Sequence, residues 1–392
     1  MNKSKLAIVI GALIFSNATL ASEINFSGYG SIRGGLVLDD DHYPRNFNYD
    51  DKVDFKNQSV FALQAQAQIN DDWNATVVLQ ASGHEDFEVE ARWAYLNYQL
   101  TPETIFTFGR FALPYFRHSD TQDVGFSHDY SAMPRSIYRG QDFDVIEGIR
   151  VMHSTFIGDG DITFKGSYGS FSGQTATANG DVDTELNNIV QLSAEYTYEW
   201  FSMYVGAVSA KTNVDIDDQL DYHLMSSLSG YTIDNGVAYN PNNIPVYNMS
   251  ELYVDEDDAL YLSTGVTFDF DQWVFNAEYA TYQVEDSFSE ASTSVYASLG
   301  YRFDKTTVSF VVEDQNFGED YDSAKSSDPI VNSYLKAVND SFARPSEYDS
   351  QGIHVRYDAF AGVAYKFEYT YATDDLEDKG ASVVTFGLDF IF

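Results

Sequence analysis

Two short runs bring nucleophile, base and acid types together: His118-Ser119-Asp120 and Ser127-His128-Asp129. A hydrolase needs those types, but neighbours in sequence rarely aim their side chains along one proton path. No G-x-S-x-G elbow accompanies them, so an enzyme is not expected. The 7 His and 60 acidic residues invite a metal site, yet neither H-E-x-x-H nor D-x-[DN]-x-[DN]-G occurs. Zero Cys excludes thiolate ligation, disulfides and Cys nucleophiles. What remains is a charged grouping. The stretch Ala112–Asp142 carries Arg117, Arg135 and Arg139 against Asp120, Asp123, Asp129 and Asp142, in a chain otherwise strongly acidic. Arg110 and Arg150 flank it. Leu113-Pro114, Tyr115-Phe116, Tyr130 and Met133-Pro134 add packing residues and restricted backbone, which argues for an ordered loop, and an ordered loop of this length is usually functional.

The elements that position this loop are strands. Of 392 residues, 44% are hydrophobic and 16% aromatic, too much apolar surface for a disordered chain. With 60 acids against 22 bases there is no basic footprint for nucleic acid. Residues 1–21 read as a secretory signal: Lys3 and Lys5, the apolar run Leu6–Phe15, then Thr19-Leu20-Ala21. Its removal takes the net charge from −38 to −40. The apolar run is too short for a spanning helix, which needs about 20 residues, and no longer one follows. Period-2 alternation follows instead. Ser382, Val384, Phe386, Leu388, Phe390 and Phe392 share one face, opposite Thr385, Gly387 and Asp389.

Sixteen such segments are predicted: Glu23–Leu38, Gln58–Asn70, Trp73–Gly83, Glu88–Leu100, Thr104–Phe111, Phe143–Phe156, Asp161–Phe171 and Asn188–Glu199 in the first half. Phe201–Thr212, Ala259–Phe270, Gln272–Glu285, Ser292–Phe303, Thr306–Gln315, Gly352–Asp358, Ala361–Thr373 and Ala381–Phe392 complete the set. They are long for soluble strands, which average about 5–6 residues. The spacers alternate: tight turns such as Asp71-Asp72 and Asp304-Lys305 on one side, and on the other longer ones including Asp39–Asn57, Ala112–Asp142, Ser172–Asn187, Asn213–Asp258 and Asn316–Gln351. An all-β, antiparallel transmembrane barrel of sixteen strands has this asymmetry, with turns periplasmic and loops extracellular. A soluble secreted β-protein has no reason to show it. Trp73, Trp200 and Trp273 adjoin tight turns and suit an interfacial girdle.

Parity turns Arg33, Gln64, Gln66, Gln68, Lys165, Glu195, Glu278, Arg302, Glu313, His354, Arg356, Lys366, Glu368 and Asp389 inward. A sixteen-stranded lumen is wide enough for water, so these are expected to be solvated wall residues of a pore. The acidic clusters Asp39-Asp40-Asp41, Asp50-Asp51 and Asp255–Asp258 fall on extracellular loops. They read as a solvated charged surface or as weak Ca²⁺ or Mg²⁺ sites bridging loops or lipopolysaccharide phosphates. No other cofactor is implied, and either way the clusters draw cations to the mouth.

Gly109–Gly125 (GRFALPYFRHSDTQDVG), followed by Pro134, Tyr138 and Phe143, resembles the third-loop region of Gram-negative outer-membrane porins. The resemblance implies that this loop folds into the barrel and narrows the channel, with loop acids facing wall arginines. Asp120, Asp123 and Asp129 would then face some of Arg33, Arg110, Arg150 and Arg356. Arg117, Arg135 and Arg139 depart from an acidic loop, and strict alternation puts Arg110 beside Phe106 and Phe108. A bulge at Gly109 would be needed to swing it inward. Phe392, with Phe390 and Phe386, resembles the porin end signal read by the barrel-assembly machinery. The resemblance also implies a homotrimer in the outer membrane, among lipid and lipopolysaccharide, although the short spacer His84–Phe87 departs from the loop that latches subunits.

Two functions stay open: a general diffusion channel for small hydrophilic solutes, and a selective channel with loop arginines and Tyr115, Phe116, Tyr130 and Tyr138 as a track for a sugar or anion. The loop has no Lys, unlike the lysine-rich eyelet expected of a phosphate channel. The mature charge of −40 favours cations.

Overall fold

The computed structural model describes residues 22–39, 47–138, 143–177, 180–215, 230–234, 237–248, 254–285, 291–317, 326–342, 348–374 and 379–392. The leader read at 1–21 and residues Asp40, Asp41, Arg139 and Asp142 lie outside these. The chain builds β1 (Ser22–Val37), β2 (Val60–Gln68), β3 (Trp73–Ser82), β4 (Val89–Thr101), β5 (Thr104–Ala112), β6 (Val145–Ile157), β7 (Gly160–Thr177), β8 (Gly180–Tyr198) and β9 (Phe201–Val214). A small loop sheet follows, β10 (Thr232–Asp234), β11 (Val237–Tyr239) and β12 (Pro245–Asn248). Then come β13 (Val254–Phe270), β14 (Trp273–Val284), β15 (Ser292–Phe303), β16 (Thr306–Phe317), β17 (Tyr348–Phe360), β18 (Val363–Asp374) and β19 (Lys379–Ile391).

All but the loop sheet pair antiparallel with their chain neighbours, and β1 pairs with β19, so sixteen strands close a barrel. Closure is what hydrocarbon demands, because an open edge would leave backbone N–H and C=O groups without partners. The period-2 pattern decides which face is which. Phe26, Leu63, Leu192, Leu262, Phe310 and Phe367 stand exposed on the outer wall, where lipid would cover them. Beside the tight turns, Trp73 stacks on Tyr98 at 4.8 Å, Trp200 on Phe268 at 5.9 Å, and Trp273 meets Tyr301 at 4.8 Å. These form an aromatic band at one rim.

The β1–β19 seam has its own packing. Gly28, Gly30 and Gly34 sit beneath the rings of Phe392, Phe390 and Phe386, where a Cβ would overlap each ring. Phe61 and Phe55 flank two of them at 6.3 and 5.7 Å.

Three spacers differ from expectation. Residues 172–177 and 180–187 are strand, since β7 and β8 continue as a ladder through Thr177↔Gly180. The segments between β9 and β13 and between β16 and β17 hold ordered structure. The first carries the loop sheet and the second the helix Pro329–Phe342. Asp328 caps that helix, accepting the Ile330 N–H at 2.9 Å, with Pro329 suited to the first turn. The two loops are tied together: Ser326 Oγ donates to the Val246 carbonyl at 2.6 Å, and the Tyr231 hydroxyl donates to Asp328 at 3.0 Å.

Candidate functional site: a loop folded into the bore

The segment between β5 and β6 leaves the wall at Leu113, whose N–H donates to the Asp144 carbonyl at 2.8 Å and closes the base of the loop. Leu113, Tyr115, Phe116, Tyr130, Met133 and Ile137 give it a buried apolar core against the wall residues Ile146, Val208, Tyr261 and Tyr296. The Tyr115 ring lies 4.7 Å from Tyr261. Pro134 precedes the helical turn Arg135–Tyr138, whose Ser136 N–H donates to Glu313 Oε2 at 2.8 Å. The Tyr138 and Tyr296 hydroxyls both donate to Glu278, at 2.7 and 2.6 Å. The aromatics suggested as a solute track are therefore spent on the loop's own packing: Tyr115, Phe116, Tyr130 and Tyr138 are all buried.

On the β3–β9 side the loop meets the wall through charged side chains. Arg117 donates from Nε to Glu195 Oε1 at 3.0 Å and from Nη1 to Thr267 Oγ1 at 2.6 Å, and also reaches Ser202. Asp120 accepts from Lys165 Nζ at 2.6 Å, with Arg150 at 3.9 Å. Burial alone would raise the Asp120 carboxyl, but Lys165 and Arg150 outweigh it and hold the group below the usual carboxylate range. Asp123 accepts from Gln80 at 3.2 Å and pairs with Arg92 at 3.3 Å. Arg92 also donates to Asp144 at 2.7 Å. Burial pushes the Asp144 carboxyl up, with Arg92 opposing.

On the far side the grip is on the backbone. Arg356 Nη1 donates to the carbonyls of Phe126 and His128 at 2.8 and 2.7 Å and lies 3.8 Å from Asp129. Lys366 Nζ donates to the Gly125 carbonyl at 2.7 Å and to that of Tyr130. The Ser131 N–H donates to Glu368, which holds His354 at 2.8 Å. Arg33 and Lys366 share Asp389, at 2.8 and 2.7 Å.

In the two triad-like runs the serines and His128 turn to separate backbone partners. Ser119 Oγ accepts the Phe116 N–H at 3.0 Å, and Ser127 Oγ donates to the Val124 carbonyl at 2.7 Å. His128 Nε2 meets the Thr121 carbonyl at 2.7 Å, and the His118 and His128 rings pack edge-on at 5.4 Å. Burial pulls the His128 imidazole down to about 4, against the Thr121 hydrogen bond. Burial, then the neighbouring His128 and Arg117, hold His118 well below its usual value.

Of the expected eyelet residues, Asp120, Asp123 and Asp129 do face wall cations, and Arg33, Arg150 and Arg356 point inward. Arg110 does not belong with them. Gly109 takes φ +128 but the ladder runs on without a bulge, so Arg110 sits opposite Glu147 on the outer wall and donates to it at 3.0 Å. Arg135 is buried, 3.9 Å over the Phe47 ring. Nor are the inward charges all solvated. Arg33, Glu278, Glu313, His354, Lys366, Glu368 and Asp389 are buried beneath the loop in paired networks.

Arg92 and Asp144 were not singled out by parity. Strict alternation from Leu96 and Ala94 places Arg92 outside. A bulge, with Val78 opposite Trp93 and Leu79 opposite Ala91, leaves Arg92 unpaired in the ladder and turns it inward. Nothing in the local residue pattern marks that bulge.

A closed sixteen-stranded barrel with an ordered loop across its bore is the architecture of outer-membrane porins. No family model matches this sequence, and no curated protein matches it either. Among solved structures the fold is shared with the outer membrane channel DcaP of Acinetobacter baumannii, at TM-score 0.54 and 12% identity over 96% of this chain and 99% of that one. It is shared with an anion-selective porin from Comamonas acidovorans, at 0.55 and 11% over 94% and 99%. OmpF of Salmonella typhi, in complex with daunomycin, gives 0.52 and 12% over 94% and 97%.

Proposed function

We propose that the chain is an outer-membrane porin, a water-filled channel for passive diffusion of small hydrophilic solutes, preferring cations. One observation carries the preference. In most of the charge pairs between loop and wall the acid is the more exposed partner. Glu195, Asp123 and Asp129 keep 40, 31 and 25% of their side-chain surface exposed, whereas their partners Arg117, Arg92 and Arg356 keep 7, 15 and 11%; Asp120, at 30%, stands between Arg150 at 12% and Lys165 at 27%. A mobile ion in a low-dielectric constriction responds most to the charge it can approach. The net charge of −38 adds to the same field at the mouth.

The reversal potential of purified protein in a planar bilayer under a salt gradient tests this. Cation preference is the expected sign, reduced by Asp120→Asn with Glu195→Gln. Anion preference in the parent protein overturns it. Homotrimer assembly, insertion by the barrel-assembly machinery, and lipopolysaccharide contacts through divalent cations at the acidic loops belong to the same proposal. Mobility of native against boiled protein on gels tests the assembly.

A further inference from the structure

Hydrogen bonds to residues 125–131 come from β17 and β18, and Gly125 packs against Arg33 of β1 and Asp389 of β19, so the segment touches the strands on either side of the place where the barrel closes on itself. Arg33 and Asp389, which form the ion pair under Gly125, are 356 residues apart in sequence. They come together only when β1 has paired with β19. Lys366 joins the same carboxylate from β18.

In this pocket two buried cations share a single carboxylate. Arg33 and Lys366 both lean on Asp389, and Arg356 stands nearby on β17 with Asp358 at 2.9 Å. Buried cations without hydrogen-bond acceptors are costly. The docked loop supplies the missing acceptors as four carbonyls, those of Gly125, Phe126, His128 and Tyr130. It can come this close because residue 125 has no side chain: a Cβ there would overlap Arg33 Nη2 and Asp389 Oδ1.

We propose that segment 125–131 is a staple across the closure seam, with Lys366, Arg33, Asp389 and Arg356 as its positioning residues. Closure builds the socket, and the seated loop then locks the first and last strands together. The idea deepens the porin reading, on which its conductance arm rests. A gel arm is independent of any transport.

The test uses the folded, detergent-solubilised chain and two readouts: the temperature at which the compact band converts to the unfolded band on a gel, and single-channel current. Lys366→Met and Gly125→Val are each expected to lower the conversion temperature by at least about 5 °C and to add current noise. Lys366→Arg, which keeps a buried donor, is expected to recover at least half of the loss. Gly125→Val leaves every strand residue in place, so it decides the matter even where Lys366→Met yields no folded band. A Gly125→Val protein that converts within about 1 °C of the parent shows that the loop does not lock the seam, whatever its currents. A parent protein that carries no current defeats the porin reading while leaving the gel comparison intact.

Discussion

The bore has two kinds of loop attachment. Toward β3–β9, Arg117, Asp120 and Asp123 reach wall side chains of opposite charge, and the acids stay partly wet. Toward β17–β1, Lys366, Arg356 and Glu368 hold backbone carbonyls and an amide in a buried setting. Side-chain pairs depend on which residues the loop carries, so that half can change its charge while the loop stays seated. Backbone contacts are indifferent to most loop side chains and fix position alone. On the proposed function, selectivity falls to the first kind of attachment and placement to the second.

The largest effect that could break this comparison is on the seam side. Glu368→Leu strips the Ser131 amide and His354 of a shared acceptor. Removing one partner of a buried pair costs about 3–5 kcal/mol, so the compact gel band should be lost at a markedly lower temperature. Acidification comes next. His118 and His128 are held below their usual pKa in the seated loop, so a released loop binds more protons. Docking is then strongest above about pH 6.5 and weakens as pH falls toward about 4. For His128 alone the loss approaches about 3 kcal/mol. Current recordings stepped from pH 7 to pH 4 should show rising noise below pH 6.5. A flat response across that window removes the two imidazoles from loop docking.

Arg117→Ala removes a buried guanidinium bonded to Glu195, Thr267 and Ser202, and its cost in stability should stay at about 2 kcal/mol because Glu195 remains partly in water. Glu195 would lose its partner, so the reversal potential should move further toward cations. A large fall in the conversion temperature instead would show that both sides share the work of placement. The smallest effect belongs to Arg110→Gln. Because Arg110 pairs with Glu147 on the outer wall, the reversal potential should match the parent; a clear shift would return Arg110 to the bore.

Strand count and order were legible because lipid on one side and water on the other impose period 2. Where that contrast ends, so does the signal. The stretch from Ser172 to Asn187 is polar on both faces, as in SGQTAT, yet its ladder continues. The loop sheet and the helix Pro329–Phe342 escaped for the same reason. Within the site, the charged loop and its acids were readable from composition and from likeness to porins. Parity told which wall residues turn inward but not which of them the loop would cover, as Lys366 and Glu368 show. Arg92 was hidden by a bulge, since one extra residue reverses every inference from alternation.

The glycine notches of β1 have a consequence for registration. With Gly30 opposite Phe390 and Gly34 opposite Phe386, a two-residue slide of β19 in one direction would set those rings against Ile32 and Leu36. In the other direction Phe386 would meet Ile32 and Phe392 would meet Phe26. The spacing of missing side chains on the opening strand thus works like the teeth of a key, accepting the finishing strand at a single offset and fixing the circumference of the ring.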